Sequence, residues 1–300
     1  MLMKEESFSR GVTYMLMSAT GMAFVGFFGK IGSEVLPLSS LIFWRFFAAF
    51  LCALLFLGVF GYLKHGIRLE NAKLNFYRSF FTLTAQYSFY YYVQHNSLLN
   101  GVVLLNTGPL FIPLIEKAFL QHKIGKSTWV GLIVSFFGVL CILQPNTGIF
   151  SLLSMIGLLA GICQGISQVL FGLNARNERG EIGVFLLFGC VMLLSLIPYA
   201  FIGHFTLEHD RSTLWVISFI LLLGVASVAN QMPRAVAYQH GTPSRLAPFF
   251  YVSVVIAALL DWIVLGNVPS TLSVIGAFLV VSGGILKIYL RYRILKKPRL

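Results

Sequence analysis

Ten long apolar stretches dominate the 300-residue chain. Each is about 20 residues long, the length that an α-helix needs to cross the hydrocarbon core of a bilayer. With 57% hydrophobic and 11% charged residues, the composition excludes a soluble domain. The sequence therefore predicts an all-α integral membrane protein with ten transmembrane helices. We place them near residues 10–30, 38–60, 74–94, 98–120, 127–145, 151–173, 183–203, 213–236, 246–265 and 271–290.

An internal repeat relates the two halves of the chain at one constant offset of 145 residues. The recurring pairs are Gln86 and Gln231, Gln94 and Gln239, His95 and His240, Glu116 and the acidic Asp261, Gly131 and Gly276, and Gly138 and Gly283. Each half holds five predicted spans, an odd number, so the second half must enter the membrane with the opposite orientation. We expect inverted repeats at 8–145 and 151–290, followed by a basic cytoplasmic tail at 291–300.

The net charge of +12 is distributed in a pattern that indicates membrane orientation and not nucleic-acid binding. If the N-terminus is cytoplasmic, 16 lysines and arginines lie in inner segments, and only Lys30 and Arg211 lie in outer loops. The positive-inside rule then predicts a multi-pass protein of the inner (cytoplasmic) membrane with both termini in the cytoplasm. The basic run from Lys287 to Arg299 is expected to bind anionic lipid at the inner leaflet.

Polar residues within the spans are the candidates for binding a substrate, because each is costly there unless it is paired or faces water. Gln86 and Gln231 hold equivalent mid-depth positions, and each offers a donor and an acceptor to a polar ligand. Tyr90 and Arg234 share their helical faces, and Asn230 is adjacent. Hydrogen bonding between helices is the structural alternative for the glutamines.

Arginines within the spans allow several interpretations. Arg45, beside Trp44 in the second span, could bind a substrate carboxylate, clamp backbone carbonyls or extend to the outer interface. Trp44 is a second candidate for the site, or an interfacial anchor. Arg78 and Arg234 are predicted nearer the inner surface, where they would extend to the interface or act as gates.

Only Glu116 and Asp261 are carboxylates clearly within spans, near helix ends at opposite membrane faces, and we expect gating or coupling roles for them. Without a central anion, a neutral or zwitterionic solute fits better than a strongly cationic one. The spans show no paired mid-membrane carboxylates, HExxH motif or cysteine–histidine cluster, so we expect no enzyme, metal or cofactor. No GxxxxGK[ST] phosphate loop is present, which favours gradient-driven transport.

Glycines at four-residue spacing in the sixth span, Gly157, Gly161 and Gly165, form a smooth stripe for close helix approach. Packing within the helix bundle is the simplest interpretation. The alternatives are a homodimer surface and a stripe along which the helix slides.

The chain resembles the EamA type of the drug/metabolite transporter superfamily over nearly its whole length. The matching features are Phe43-Trp44-Arg45-Phe46, the small and polar run before Pro109, Trp129 with Gly131 and Gly138, and Gly276 with Gly283. The resemblance implies two inverted five-helix repeats around a central cavity and transport of small metabolites such as amino acids. Relatives commonly carry glycine-glutamate where this chain has Gln121-His122 and Gly266-Asn267, so we assign no role for that glutamate.

The sequence thus predicts a gradient-driven, ATP-independent transporter of a small polar metabolite, an amino acid or a related zwitterionic or neutral compound, working by alternating access. A lipid or lipid-precursor flippase and a channel-like facilitator are the alternatives on the same fold.

Overall fold

The computed structural model describes residues 2–33, 36–62, 72–95, 98–121, 124–144, 152–177, 180–202, 213–266 and 268–296, and within these ranges it is helical with no strand. A helix forms at each of the ten predicted spans, and the fourth and ninth spans are each divided in two. The helices are α1 Leu2–Ser33, α2 Leu38–Val59, α3 Ala72–His95, α4 Leu98–Leu105, α5 Gly108–Leu120, α6 Lys126–Leu143, α7 Ser154–Asn177, α8 Gly180–Ile202, α9 Thr213–His240, α10 Pro243–Phe250, α11 Val252–Leu265 and α12 Thr271–Lys296.

Nine spans among the described residues are long and apolar enough to cross a bilayer, which identifies a multi-pass membrane protein. The predicted third span is absent from the nine. It forms α3, a helix of 24 residues, but Asn75, Arg78 and Gln86 make it more polar than the others. That α3 crosses the membrane therefore stays a prediction.

The helices form two compact units. Unit 1 comprises Met1–Thr84 and Leu170–His240, and unit 2 comprises Ala85–Val169 and Gly241–Leu300. In unit 1, α1 packs along α9, and α2 packs against α8 and α9. In unit 2, α6 packs along α12, and α5 packs against α10. Each unit therefore takes helices from both halves of the sequence.

Glycines bring α6 and α12 into backbone contact in unit 2. A Cβ atom at Gly138 would lie 2.6 Å from the carbonyl oxygen of Gly276, and one at Gly131 would lie 2.9 Å from that of Gly283. Real Cβ atoms do not approach a carbonyl that closely, so the crossing requires glycine. In the repeat, Gly131 corresponds to Gly276 and Gly138 corresponds to Gly283. Gly138 therefore contacts the equivalent of Gly131, and Gly131 contacts the equivalent of Gly138. The two contacts occur in opposite sequence order along the helices, so α6 and α12 run antiparallel.

A hydrogen bond lies between these two glycine contacts. The Ser135 hydroxyl donates to the backbone carbonyl of Val280 at 3.2 Å, and these residues are themselves 145 positions apart. The repeat offset therefore exchanges the two helices of the crossing. Ser135 and Val280, which are equivalent in the repeat, lie at its centre.

The fourth span is interrupted at Asn106 and Thr107, between α4 and α5. Pro109 has no N–H, and its ring clashes with the carbonyl four residues earlier, where α4 ends. Two side chains donate hydrogen bonds to backbone carbonyls next to the break. Asn106 Nδ2 donates to the carbonyl of Val102 at 2.8 Å, and Thr107 Oγ1 donates to that of Leu104 at 2.6 Å. Both carbonyls also accept a backbone amide, from Asn106 at 2.9 Å and Thr107 at 3.1 Å, so the side chains add polar contacts at the break.

Two further features of unit 2 recur at the 145-residue offset. The ninth span is interrupted at Tyr251, 145 residues after Asn106. Gln121 caps the C-terminal end of α5 and Gly266 caps that of α11, and both residues lie in the left-handed region, at φ +53° and +74°. Glycine adopts this conformation without strain, whereas a residue with a Cβ atom is strained by about 1–2 kcal/mol. Gln121 therefore carries strain that its repeat equivalent avoids.

We expect Gln121→Gly to raise the free energy of unfolding by about 1 kcal/mol, because it removes the left-handed strain at the end of α5. The matched variant, Gly266→Ala, should lower it by a similar amount. Thermal unfolding of the purified protein in detergent measures both. A lower melting temperature for Gln121→Gly would contradict the strain.

Replacing a crossing glycine should separate α6 from α12. We expect Gly138→Ala to cost about 1–3 kcal/mol, because the added methyl group meets the Gly276 backbone, which cannot yield as a flexible side chain can. Gly29→Ala is the control, since no heavy atom outside its own helix turn lies within 4 Å of a Cβ atom there. Equal melting temperatures for the two variants would show that the crossing tolerates a side chain.

Candidate functional site

One face of α9 in unit 1 carries the polar residues Ser227, Asn230, Gln231 and Arg234. Their spacing of three to four residues places them along one side of the helix. Ser227, Asn230 and Arg234 are buried, and Gln231 is half-buried. A buried polar group in a membrane helix is costly unless it is bonded, so the partners of this face define what it can do.

Arg234 is held by α1 and by its own helix. Its Nε donates to Ser18 Oγ at 2.9 Å, and its Nη2 donates to Asn230 Oδ1 at 2.5 Å. Ser18 also donates to Asn230 at 3.0 Å, which closes a three-residue network. Gly21, one turn beyond Ser18, permits this approach, since a Cβ there would lie 2.5 Å from the Asn230 amide nitrogen. The candidates Asn230 and Arg234 thus lie together, with Ser18 as a partner that the sequence did not indicate.

Arg78 of α3 reaches the same face of α9. Its guanidinium stacks on the Phe171 ring at 3.4 Å, and its Nη2 donates to Gln231 Oε1 at 3.2 Å. Its Nη1 donates to the Gly183 carbonyl of α8 at 3.3 Å. The prediction that Arg78 extends to the membrane interface is wrong, because only 1% of the residue is exposed. Arg234 is also only 1% exposed, so the prediction that it extends to the interface is wrong too. Hydropathy could not show that α7, α8 and α9 contact Arg78 or that α1 contacts Arg234.

Arg45 of α2 contacts the Ser227 end of this polar face. Its Nε donates to Ser227 Oγ at 3.3 Å, and its guanidinium lies 5.2 Å from the Phe46 ring centre. The observed partner is thus a side-chain hydroxyl, whereas the clamp predicted from the sequence involved backbone carbonyls. Trp44 is half-buried in the core of unit 1 and packs edge-on against Tyr199 at 6.2 Å.

Gln86 and Tyr90 lie one turn apart on the part of α3 that belongs to unit 2, and both are half-buried. Tyr90 packs edge-on against Phe89, with ring centres 5.1 Å apart. Their shared helical face agrees with the predicted spacing. Whether they bind substrate stays a prediction.

A second polar cluster, which we call the Ser244 cluster, comprises Glu116, Ser244 and Lys287 in unit 2. Glu116 is 1% exposed and accepts hydrogen bonds from the Ser244 amide at 3.1 Å and hydroxyl at 2.6 Å. Ser244 lies in the first turn of α10, where amides lack helical partners and negative charge is favourable. Glu116 therefore caps α10 from α5.

Lys287 completes the cluster from α12. Its Nζ donates to the Ser244 carbonyl at 3.4 Å and also to the Arg245 carbonyl. The Ser244 carbonyl has no helical donor because the residue four positions on is Pro248, which lacks an N–H. Lys287 is 2% exposed, so its predicted place in a lipid-anchoring run is wrong. Pro248 was the sequence signal for this contact, although α12 could not be identified as the partner.

Asp261, the repeat equivalent of Glu116, is half-buried in α11, and its carbonyl accepts the amide of the capping residue Gly266. Asp261 lies near the C-terminal end of α11 and is partly exposed, whereas Glu116 is almost fully buried. A gating or coupling role for either residue stays a prediction.

The glycine stripe of α7 packs inside unit 2. A Cβ atom at Gly161 would lie 2.6 Å from the Leu104 carbonyl, and one at Gly165 would lie 3.0 Å from that of Gly108. The stripe therefore accommodates the interrupted fourth span. This geometry agrees with packing within the bundle, and it removes the stripe as a free homodimer surface.

Neutralising Glu116 should destabilise the Ser244 cluster. In Glu116→Gln the side-chain amide brings a donor to a place where two donors already point, so we expect a loss of about 1.5–3 kcal/mol in the free energy of unfolding. Asp261→Asn is the matched variant, and its half-buried position should make its loss smaller. The measurement is thermal unfolding in detergent, and a loss confined to Asp261→Asn would refute the capping role.

Comparison with known proteins gives a consistent group of relatives. A model of the EamA-like transporter family matches residues 9–144 and 151–289. The pseudopaline exporter CntI of Pseudomonas aeruginosa is 26% identical over 196 residues, which are 64% of this chain and 66% of that protein. A riboflavin transporter of Vibrio cholerae is 26% identical over 60% of this chain and 59% of its own length. These two alignments therefore span less than two thirds of the relatives.

Two longer matches cover almost the whole chain. An S-adenosylmethionine uptake transporter of Rickettsia bellii is 20% identical over 97% of this chain and 98% of that protein. A solved crystal structure with 18% identity superposes over 98% of this chain and 99% of its own, with a TM-score of 0.72. At this identity the structural match shows the fold alone.

Proposed function

The chain belongs to the EamA-like transporter family, and from this premise we propose that it is a secondary transporter that moves a small polar metabolite across the inner membrane without ATP. Its relatives are named for pseudopaline export, riboflavin transport and S-adenosylmethionine uptake. Their variety supports a small-molecule substrate but selects neither the compound nor the direction. We propose a zwitterionic compound related to amino acids.

The polar face of α9 carries the proposal. Within helices that are otherwise apolar, Asn230, Gln231 and Arg234 lie together with Arg45 and Arg78. Such a concentration of polar groups is costly in a bilayer, and in membrane proteins it commonly marks a pathway for a polar solute. We propose that Gln231, Asn230, Arg234, Arg45 and Trp44 contact the substrate, and Gln86 and Tyr90 stay candidates on the strength of the sequence repeat.

Alternating access between two inverted five-helix repeats, with both termini in the cytoplasm, is the mechanism we propose. The reciprocal α6–α12 crossing and the matching interruptions at Asn106 and Tyr251 support the repeat. Glu116 and Asp261, at the ends of equivalent helices, would act in gating or coupling. In such proteins one repeat moves against the other around a fixed site.

The test compares metabolites inside and outside cells that express wild-type protein, a Gln86→Ala, Gln231→Ala double variant, or no transporter. We expect a compound that shifts with wild type and loses most of that shift with the double variant, because both glutamines lose their hydrogen bonds to it. Gln239→Ala, an exposed glutamine on the same helix as Gln231, is the control. Equal membrane abundance is checked by immunoblot.

A shift that both proteins produce would keep the transporter and remove the glutamines from its site. The absence of any shift would contradict metabolite transport in that host. Movement of a headgroup-labelled lipid in reconstituted vesicles would then identify a flippase.

A further inference from the structure

The helices of unit 1 hold two buried arginines, Arg78 and Arg234, in stretches that contain no acidic residue. Residues 8–32, 38–59, 72–84, 182–202 and 213–240 contain no aspartate or glutamate. They contain Arg45, Arg78 and Arg234, which stay protonated in proteins. The nearest acidic residue along these stretches is Glu181, half-buried at the start of α8. Arg78 bonds instead to the backbone carbonyl of Gly183, two residues further on.

The contacts of Arg78 are those of a positioned but uncompensated cation. Its two hydrogen bonds go to neutral oxygens at 3.2 and 3.3 Å, longer than the 2.7–2.9 Å that is typical of a bond from a guanidinium to a carboxylate. Its Nε is buried and has no hydrogen-bond partner among the described residues. The Phe171 ring covers one face of the guanidinium. The side chain is therefore held in place by two of its five N–H groups, and Nε is still unused.

A second cation strengthens the positive potential at this point. Arg234 follows Gln231, the residue to which Arg78 donates, by three residues on the same face of α9. Its bonds to Ser18 and Asn230 fix its orientation. Two like charges in a medium of low dielectric constant repel each other, so an anion that binds beside them relieves the repulsion.

The buried pair has a route to a ligand through Gln231. This residue bonds to Arg78 and is itself half-buried, so the guanidinium lies one side chain away from an accessible surface. An anionic ligand that displaces the Arg78–Gln231 bond would replace a neutral acceptor with a negatively charged one. Gln231 could then bond to another part of the same ligand, since it is both a donor and an acceptor.

We propose that Arg78 binds a carboxylate of the transported metabolite, with Arg234 supplying the second positive charge. This inference rests on the proposed transport function and narrows its substrate class to compounds that carry a carboxylate. A carboxylate is the anion that the proposed zwitterionic compound carries, and its two oxygens match the planar fork of a guanidinium. A neutral solute fits less well, because it would bring no negative charge to Arg78.

The first test repeats the metabolite comparison with Arg78→Gln and Arg78→Lys, using the cell's own metabolites as probes. Compounds that shift with wild type are expected to carry a carboxylate. Arg78→Gln should lower their flux about tenfold or more, and Arg78→Lys should retain part of it, since lysine keeps the charge and loses the planar fork. Lys73→Gln is the control, because Lys73 is an exposed cation on the same helix. Size-exclusion chromatography checks that each variant is folded.

The second test needs no variant. Flux of the shifted compound into vesicles with wild-type protein is measured against its own free acid and its methyl ester as competitors. The free acid should compete, and the ester should compete at least about tenfold more weakly, because it lacks the charge that pairs with the guanidinium. If Arg78→Gln does not fold, a raised half-saturation concentration in Arg78→Lys replaces it as the test of the residue.

Each failure has a separate meaning. Flux of a compound that has no carboxylate, of phosphate esters alone, or equal competition by the ester would overturn this inference and leave transport intact. Unchanged flux in a folded Arg78→Gln protein, or an unchanged half-saturation concentration in Arg78→Lys, would remove Arg78 from the site. If wild type moves no metabolite, the proposed function fails, and the inference fails with it.

Discussion

A polar group inside a bilayer must find its partner within the protein, and this constraint accounts for most of the specific contacts in the two units. Where Pro109 interrupts the fourth span, side chains bond to nearby carbonyls. Where Pro248 removes the donor for the Ser244 carbonyl, Lys287 supplies one from another helix. The same constraint makes Arg78 informative. Its neutral partners hold the side chain in place without neutralising its charge, which a membrane protein tolerates when the charge has a task.

The sequence predicted those features that depend on local properties of the chain. Apolar length located ten spans, and among the described residues nine of them meet the requirements of a membrane span, whereas the polar composition of α3 leaves its span a prediction. Pro109 indicated a break that the structure shows beside it. The internal repeat followed from rare residues at one offset. The prediction of two inverted repeats remains open, although the reciprocal contact of α6 with α12 agrees with it.

The features that were missed depend on which helices become neighbours. Lys287 was assigned to a lipid-binding run because it begins a basic stretch, but its side chain turns inward onto α10. Arg78 was expected to reach the interface because a lone charge in a span usually does. Its burial follows from Phe171 and Gly183, which are about 100 residues away in the sequence. Neither partner has a local signature, so a single sequence could not identify them.

The crossing of α6 with α12 has a consequence for how such a chain could have arisen. Because each glycine contacts the equivalent of its partner, the surface is complementary to itself, as in an interface between two identical subunits related by a twofold axis. One five-helix polypeptide could therefore make the same contact with a second copy of itself. Since that crossing is antiparallel, the two copies would have to insert in opposite directions. A separate half-chain would then need nearly balanced basic loops, so that neither orientation prevailed.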